Sequence, residues 1–427
     1  MPTSNNLISR VLHAISWGTL GAIASRAVSI ITNVLVARQL GRESFGMFGL
    51  IQSTVLLFSV LGGFGAGPSI TKFCSQYRIV DRIKCSRVVS FFCVIGIIFV
   101  IIISVGMYFG AGLLAGYVFG NRQAAHGFEI GSVAVFFSGV MALATGLLSG
   151  LEKYKVNAFV SFLTAALAFV ICIPATRYYG LEGALVGFSF ATTVVSVITI
   201  WLAYKIYVDD GFRLTTSIKG IEKGLVKRFA IPTLLGSLTN TGVTWFSLAM
   251  LGWSNGGAYE IAAINVANQW RGAILFLPSA IGAALVPIIS NSMVGEETGN
   301  AKRVLYIGIL TSFSVSIIAF GGLLFFRQDI AIMYGGEFKD TGRVISVMAI
   351  SAVITSMCNV MSRYVMATGE MWRSYGYDVL WSASLIGSAT FLVAKAGAFG
   401  LAIAYLFAAA MQFLFQMFDG YRLLRKK

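Results

Sequence analysis

Twelve runs of about twenty apolar residues follow one another along this chain, and that repetition leaves few folds open. They fall at approximately 13–36, 45–71, 88–110, 128–150, 156–176, 181–204, 229–252, 261–290, 304–325, 344–367, 376–396 and 398–420. A run of about 20 apolar residues is what an α-helix needs to cross the hydrocarbon of a bilayer. Hydrophobic residues make up 57% of the sequence, charged residues 11%, and the mean hydropathy is +0.81. No soluble domain of this length has that composition. Lipid offers backbone groups no partner, so the runs are expected to be helices. The residue-by-residue alternation of a membrane barrel is missing. The expected fold class is therefore an all-α polytopic membrane protein of about twelve transmembrane helices.

Lys and Arg stay on the cytoplasmic side of a membrane. With the N-terminus inside, the cytoplasmic segments carry 21 of the 32 Lys and Arg residues and the external segments 8, so both termini are expected in the cytoplasm. A net charge of +15 would suit a nucleic-acid binder, but these cations are scattered over loops on one membrane face. Topology and anionic lipid explain them better, and nucleic acid is not an expected partner. The first apolar run is too long for a cleavable signal and should serve as an uncleaved anchor. Cys74, Cys85, Cys93, Cys172 and Cys358 form no C-x-x-C pair and are expected as free thiols.

The chain is doubled. A shift of 219 residues places Pro68 on Pro287 and Gly150 on Gly369, each glycine being followed by a short charged turn. Gly180-Leu181-Glu182-Gly183 then matches Gly397-Ala398-Phe399-Gly400 in nearly the same register. The expected domains are two six-helix lobes, 1–210 and 211–427, running the same way through the membrane about an axis along its normal. Such duplication is common among alternating-access transporters.

Three arginines, Arg26, Arg271 and Arg363, sit within the apolar runs with almost no acid at their depth. A guanidinium at the centre of a lone membrane helix costs roughly 2.5 to 3.5 kcal/mol on insertion scales. An anionic cargo would account for them; snorkelling to headgroups or capping a helix end is the structural alternative. Helical spacing puts Arg26 and Asn33 on one face of the first helix. The eighth run carries Asn265, Asn268 and Arg271 at three-residue steps, and the tenth carries Asn359 and Arg363 one turn apart. Such faces are expected to meet a watery cavity, the asparagines serving as cargo contacts or as interhelical glue. Asp378, just inside the eleventh run, is the acid best placed for ion coupling, or for a salt bridge to Arg373 or Arg363.

Catalysis and cofactors find little support. There is no G-x-x-x-x-G-K-[ST] phosphate cradle. The two histidines, His13 and His126, are far apart, which leaves neither a metal centre nor a Ser-His-Asp set. No cofactor and no metal are expected.

The stretch Arg38-Gln39-Leu40-Gly41-Arg42-Glu43-Ser44-Phe45-Gly46 resembles the R-x-L-G-x-x-x-F-G signature of polysaccharide exporters, the Wzx-type branch of the MOP (MATE-like) superfamily. Gly257-Ala258-Tyr259, leading into a helix with Leu277-Pro278-Ser279-Ala280 and Pro287, is similar to its counterpart in the second half. The resemblance implies a V-shaped, often cationic cleft between two lobes. It also implies the flipping of undecaprenyl-diphosphate-linked oligosaccharides across the bacterial inner membrane for O-antigen, capsule or exopolysaccharide. The partners it implies are that lipid-linked oligosaccharide, membrane lipids, and a polysaccharide polymerase with its chain-length regulator; a monomer is the default expectation for the chain itself. Arg38, Gly41, Phe45 and Gly46 take a fold or gate role in that picture. Two other readings stand beside it. One is a MATE-type exporter of cations, which the absence of Asp and Glu from 13–37 and 229–252 disfavours. The other is a membrane enzyme of envelope glycan assembly, for which the largest external loop, about 327–343, is small.

Overall fold

The structure is a computed structural model, and it describes residues 4–119, 125–213, 215, 231–254, 256–292, 298–367 and 370–426. Among the described residues the regular structure is helical throughout: α1 (Ser4–Gly63), α2 (Ala66–Tyr77), α3 (Arg82–Phe119), α4 (Ala125–Gly150), α5 (Tyr154–Asp209), α6 (Ile231–Gly252), α7 (Gly257–Ser292), α8 (Thr298–Phe325), α9 (Arg327–Met333), α10 (Thr341–Ala367) and α11 (Met371–Lys426), with a 3-10 turn at Gly336–Phe338. Among the described residues, seven helices are long and apolar enough to cross a membrane. Gly369 and the 216–230 stretch lie outside the described residues, as do the side chains of His13 and Pro287.

Two of those helices are folded hairpins. A straight helix of 56 residues, the length of α5 and of α11, would run about 84 Å against a hydrocarbon core of about 30 Å. In α5 the backbone leaves helical values at Gly180 (φ 56°), and a Cβ built on Gly183 would stand 2.0 Å from the Ala175 carbonyl oxygen. Residues 175 and 183 can touch only if the chain turns back. In α11 the same reversal occurs at Gly397 (φ 53°), and a Cβ on Gly400 would meet the Leu392 carbonyl at 2.0 Å. The paired glycines of the two halves thus mark two equivalent turns. A further break at Gly41 (φ 74°) divides α1, and Phe64 and Gly65, both at positive φ, separate α1 from α2. Cut at Gly41, Gly180 and Gly397, the long helices follow the apolar runs of the sequence, whereas the break at Phe64 and Gly65 falls inside the 45–71 run.

The helices gather into two compact units, Met1–Leu40 with Ile51–Leu238, and Gly41–Leu50 with Thr239–Lys427. In the first unit α2, α3 and α4 meet over a core of Ile70, Phe73, Cys74, Val88, Val89, Phe92, Leu147 and Leu148, closed by Tyr207 and Phe212. Small residues let the helices approach: a Cβ on Gly146 would lie 2.5 Å from the Gly67 carbonyl oxygen, and one on Gly150 2.7 Å from Cys74 Cβ. Lys153 with Asp210 (3.1 Å) and Arg78 with Glu152 (2.5 Å) close the end of that core. In the second unit a smaller core of Leu305, Val360, Met361, Tyr364, Val365 and Tyr377 binds α8, α10 and α11.

Candidate functional site

Arg271 lies near the middle of α7, and its surroundings come from the facing side of α10. Its Nε donates to Ser351 Oγ at 3.3 Å and its Nη2 to Thr355 Oγ1 at 3.2 Å. The guanidinium carbon stands 5.3 Å from the centre of the Tyr405 ring on α11. Among the described residues no carboxylate lies within 4.0 Å of Arg271 or of Arg363. Hydroxyls and a ring face orient the positive charge of Arg271 and do not cancel it.

The other predicted residues divide between the units. Arg26 and Asn33 belong to the first. Arg26 is half-buried on α1, beside Ser25, whose hydroxyl donates to the Ser161 carbonyl of α5 at 2.8 Å. Asn33 turns its amide back onto its own helix, donating to the Ser29 carbonyl at 3.0 Å. Asn265, Asn268, Arg271, Asn359 and Arg363 belong to the second unit, where α7 and α10 pack along their length. Arg363 is half-buried, and a Cβ on Gly282 of α7 would touch its Cγ at 3.6 Å. Asn268 and Asn359 are half-buried on the same two helices. Asn265 does something more constrained: its amide rests on Gly49, where a Cβ would come within 1.8 Å of Nδ2. Asp378 hydrogen-bonds Asn240 of α6. The salt bridge from Asp378 to Arg373 is not formed, because Arg373 is taken elsewhere. Its Nε donates to Asp419 Oδ2 at 2.5 Å, its Nη2 also bonds that carboxylate, and its Nη1 donates to Glu370 at 2.8 Å.

The signature residues occupy a second polar centre that spacing alone did not reveal. Gly41–Leu50 continues α1, yet it packs as part of the second unit, and Arg42 holds it there. Nη1 of Arg42 donates to Asp340 Oδ1 (2.6 Å) and to the Glu337 carbonyl (2.7 Å). Nε donates to the Tyr259 carbonyl (3.0 Å), and the backbone N–H donates to Glu337 Oε2 (2.9 Å). The guanidinium also lies 3.6 Å over the Tyr259 ring. Gly46 allows this approach, since a Cβ there would stand 1.8 Å from the Ala258 carbonyl oxygen. Phe45 is buried among Phe48, Tyr334 and Phe338, and Tyr334 donates to Gln269 at 2.5 Å. Arg38 is exposed. In the sequence, Arg42 looked like one more loop cation. The acidic 337–340 segment was the available signal, but its pairing with a residue nearly 300 positions away could not be read from spacing.

Five likenesses to known proteins bear on this arrangement. The polysaccharide biosynthesis protein family matches residues 11–293, about two thirds of the chain, and the MatE family matches residues 232–376. The chain belongs to the polysaccharide biosynthesis protein family and is a multi-pass membrane protein of the MOP fold. The EPS I polysaccharide export inner membrane protein EpsE of Ralstonia solanacearum is 21% identical over 398 residues, 90% of this chain and 87% of that one. Among solved structures, the lipid II flippase MurJ in an inward closed conformation superimposes with a TM-score of 0.78 at 16% identity, over 94% of this chain and 87% of its own. An inward-facing multidrug resistance MATE family transporter of the MOP superfamily does so with the same score and identity, over 94% and 96%.

Proposed function

We propose that this protein flips polyprenyl-diphosphate-linked oligosaccharides across the bacterial cytoplasmic membrane for surface polysaccharide assembly, by alternating access. The observation that carries the reading is Arg271, a guanidinium deep in α7 whose described partners are two neutral hydroxyls and an aromatic ring. A diphosphate is the counter-charge such a site suits, because the planar fork of arginine donates paired hydrogen bonds to phosphate oxygens. Family membership and the export role in the name of EpsE support the same cargo class. The polyprenyl tail stays in lipid while the polar head moves. Outward movement of negative charge is assisted by an inside-negative potential, by about 2.3 kcal/mol per charge per 100 mV.

In this reading the lobes are residues 1–210 and 211–427, and both termini face the cytoplasm. Arg26, Asn33, Asn268, Arg271, Asn359 and Arg363 meet the cargo, and Asn265 supports them through Gly49. Asp378, bonded to Asn240, is the acid available for ion coupling. The protein works as a monomer beside a polymerase and its chain-length regulator. A cation exporter would need acids within its lobes, and neither 13–37 nor 229–252 contains Asp or Glu.

Mass spectrometry of the purified protein with its bound cargo tests the proposal. Lipid-linked sugar is the expected finding; organic cations in its place would overturn it. In cells, Arg26→Ala and Arg271→Ala are expected to abolish surface glycan while membrane insertion stays intact. Normal glycan in both variants would mean that these arginines are structural.

A further inference from the structure

The hydroxyls beside Arg271 are already committed as donors. Ser351 Oγ gives its proton to the Met348 carbonyl at 2.7 Å, and Thr355 Oγ1 gives its own to the Ser351 carbonyl at 2.8 Å. Each oxygen therefore presents only lone pairs to the guanidinium, which donates to both. Two N–H groups are consumed, one on Nε and one on Nη2; the others, including both on Nη1, are not engaged by any described residue. The side chain is thus fixed in direction by neutral acceptors while its charge and its outer donors stay available. Carboxylates in those places would have fixed it equally well and neutralised it.

Ser351 and Thr355 begin a row that continues through Asn359 to Arg363, each one four residues after the last. Rows at this spacing slant across a helix surface by about 26° and so follow a neighbouring helix that crosses it. The row here follows α7. Its first two members touch Arg271, and its last, Arg363, packs beside Gly282, eleven residues further along α7. Ser351 is fully buried beside the cation.

We propose that Ser351 and Thr355 are positioning residues that hold the Arg271 fork open for a diphosphate headgroup, with Asn359 and Arg363 extending the same polar edge along α10. The assignment rests on the flippase reading above and adds to it the groups that aim the arginine.

The experiment uses the full-length protein in detergent and measures binding of inorganic pyrophosphate by calorimetry, alongside the thermal midpoint of each variant. Thr355→Val keeps the shape and removes the acceptor, and is expected to weaken binding by about tenfold, the size of one hydrogen bond to a charged group. Thr355→Ser, which restores the acceptor, is expected to bind as the unaltered protein does, and Ser351→Ala to weaken binding in the manner of Thr355→Val. Equal affinity in Thr355→Val and the unaltered protein would overturn the positioning role while leaving the flippase reading in place, even if the thermal midpoint fell. Equal loss in Thr355→Val and Thr355→Ser would overturn it too, since packing would then explain both. Failure of the unaltered protein to bind pyrophosphate at all would sink the reading beneath it as well.

Discussion

Arg42 Nη1 lies 2.6 Å from Asp340 Oδ1, and the two ends of that ion pair stand in opposite surroundings: the arginine side chain is 1% exposed and the aspartate 67%. Removing the buried end strands the Glu337 and Tyr259 carbonyls, whereas removing the exposed end leaves groups that water can serve. Arg42→Ala is therefore expected to destabilise the protein by about 3 kcal/mol. Asp340→Asn should cost less than about 1 kcal/mol. Thermal midpoints in one detergent measure the contrast; equal losses would show that the pair, not the burial of Arg42, sets its value.

Gly46 and Gly49 both permit close approach, yet to different kinds of atom. A Cβ on Gly46 would enter the Ala258 backbone, at 1.8 Å from its oxygen and 2.6 Å from its carbonyl carbon, and backbone cannot step aside. At Gly49 the obstacle is the end of the Asn265 side chain, which has other rotamers. Gly46→Ala is expected to abolish recovery of folded protein, and Gly49→Ala to reduce it only in part. Size-exclusion profiles of fluorescently tagged variants decide this, and indistinguishable profiles would contradict it.

Arg373 and Asp419 fasten the two arms of α11 at their open end, with Tyr377 donating to the same carboxylate at 2.5 Å. Asp419→Ala leaves Arg373 with Glu370 alone, and it is expected to lower stability by about 2 kcal/mol. Tyr377→Phe should lower it by about 1 kcal/mol. Chemical unfolding of the two variants gives both values, and a larger loss for Tyr377→Phe would reverse the ranking proposed for this clasp.

Arg271→Lys separates charge from geometry. An ammonium keeps the charge, but it cannot bond Ser351 and Thr355 together while still offering a paired face. Export is expected to fall by about tenfold with folding unaltered, for the loss of about one charge-assisted hydrogen bond. Full export by this variant would mean that charge alone suffices.

The architecture was legible because lipid punishes every unpaired backbone group, so each crossing must be written as a long apolar run. The reversals at Gly180 and Gly397 were legible for a similar reason: an abrupt turn needs positive φ, and glycine supplies it in both halves. The depth of Arg271 could be read as well. What surrounds it could not, because Ser351 and Thr355 are ordinary residues of a membrane helix until α7 is laid beside them. Arg42 escaped for the opposite reason. A cation between two apolar runs looks solvated, and only folding across nearly 300 positions buries it. For Asp378 the sequence left ion coupling or a salt bridge to Arg373 or Arg363 open; Asp419, from the far arm of α11, takes Arg373.

Glu260, in the first turn of α7, accepts the backbone N–H of Ala398 at 2.7 Å, at the point where the second arm of α11 begins. One carboxylate thereby anchors the start of α7 to the start of the second arm of α11, over the glycine that makes the turn. Were α7 to tilt as cargo passed, that arm would be drawn along with it, so the tether makes two distant stretches of sequence answer as a single lever.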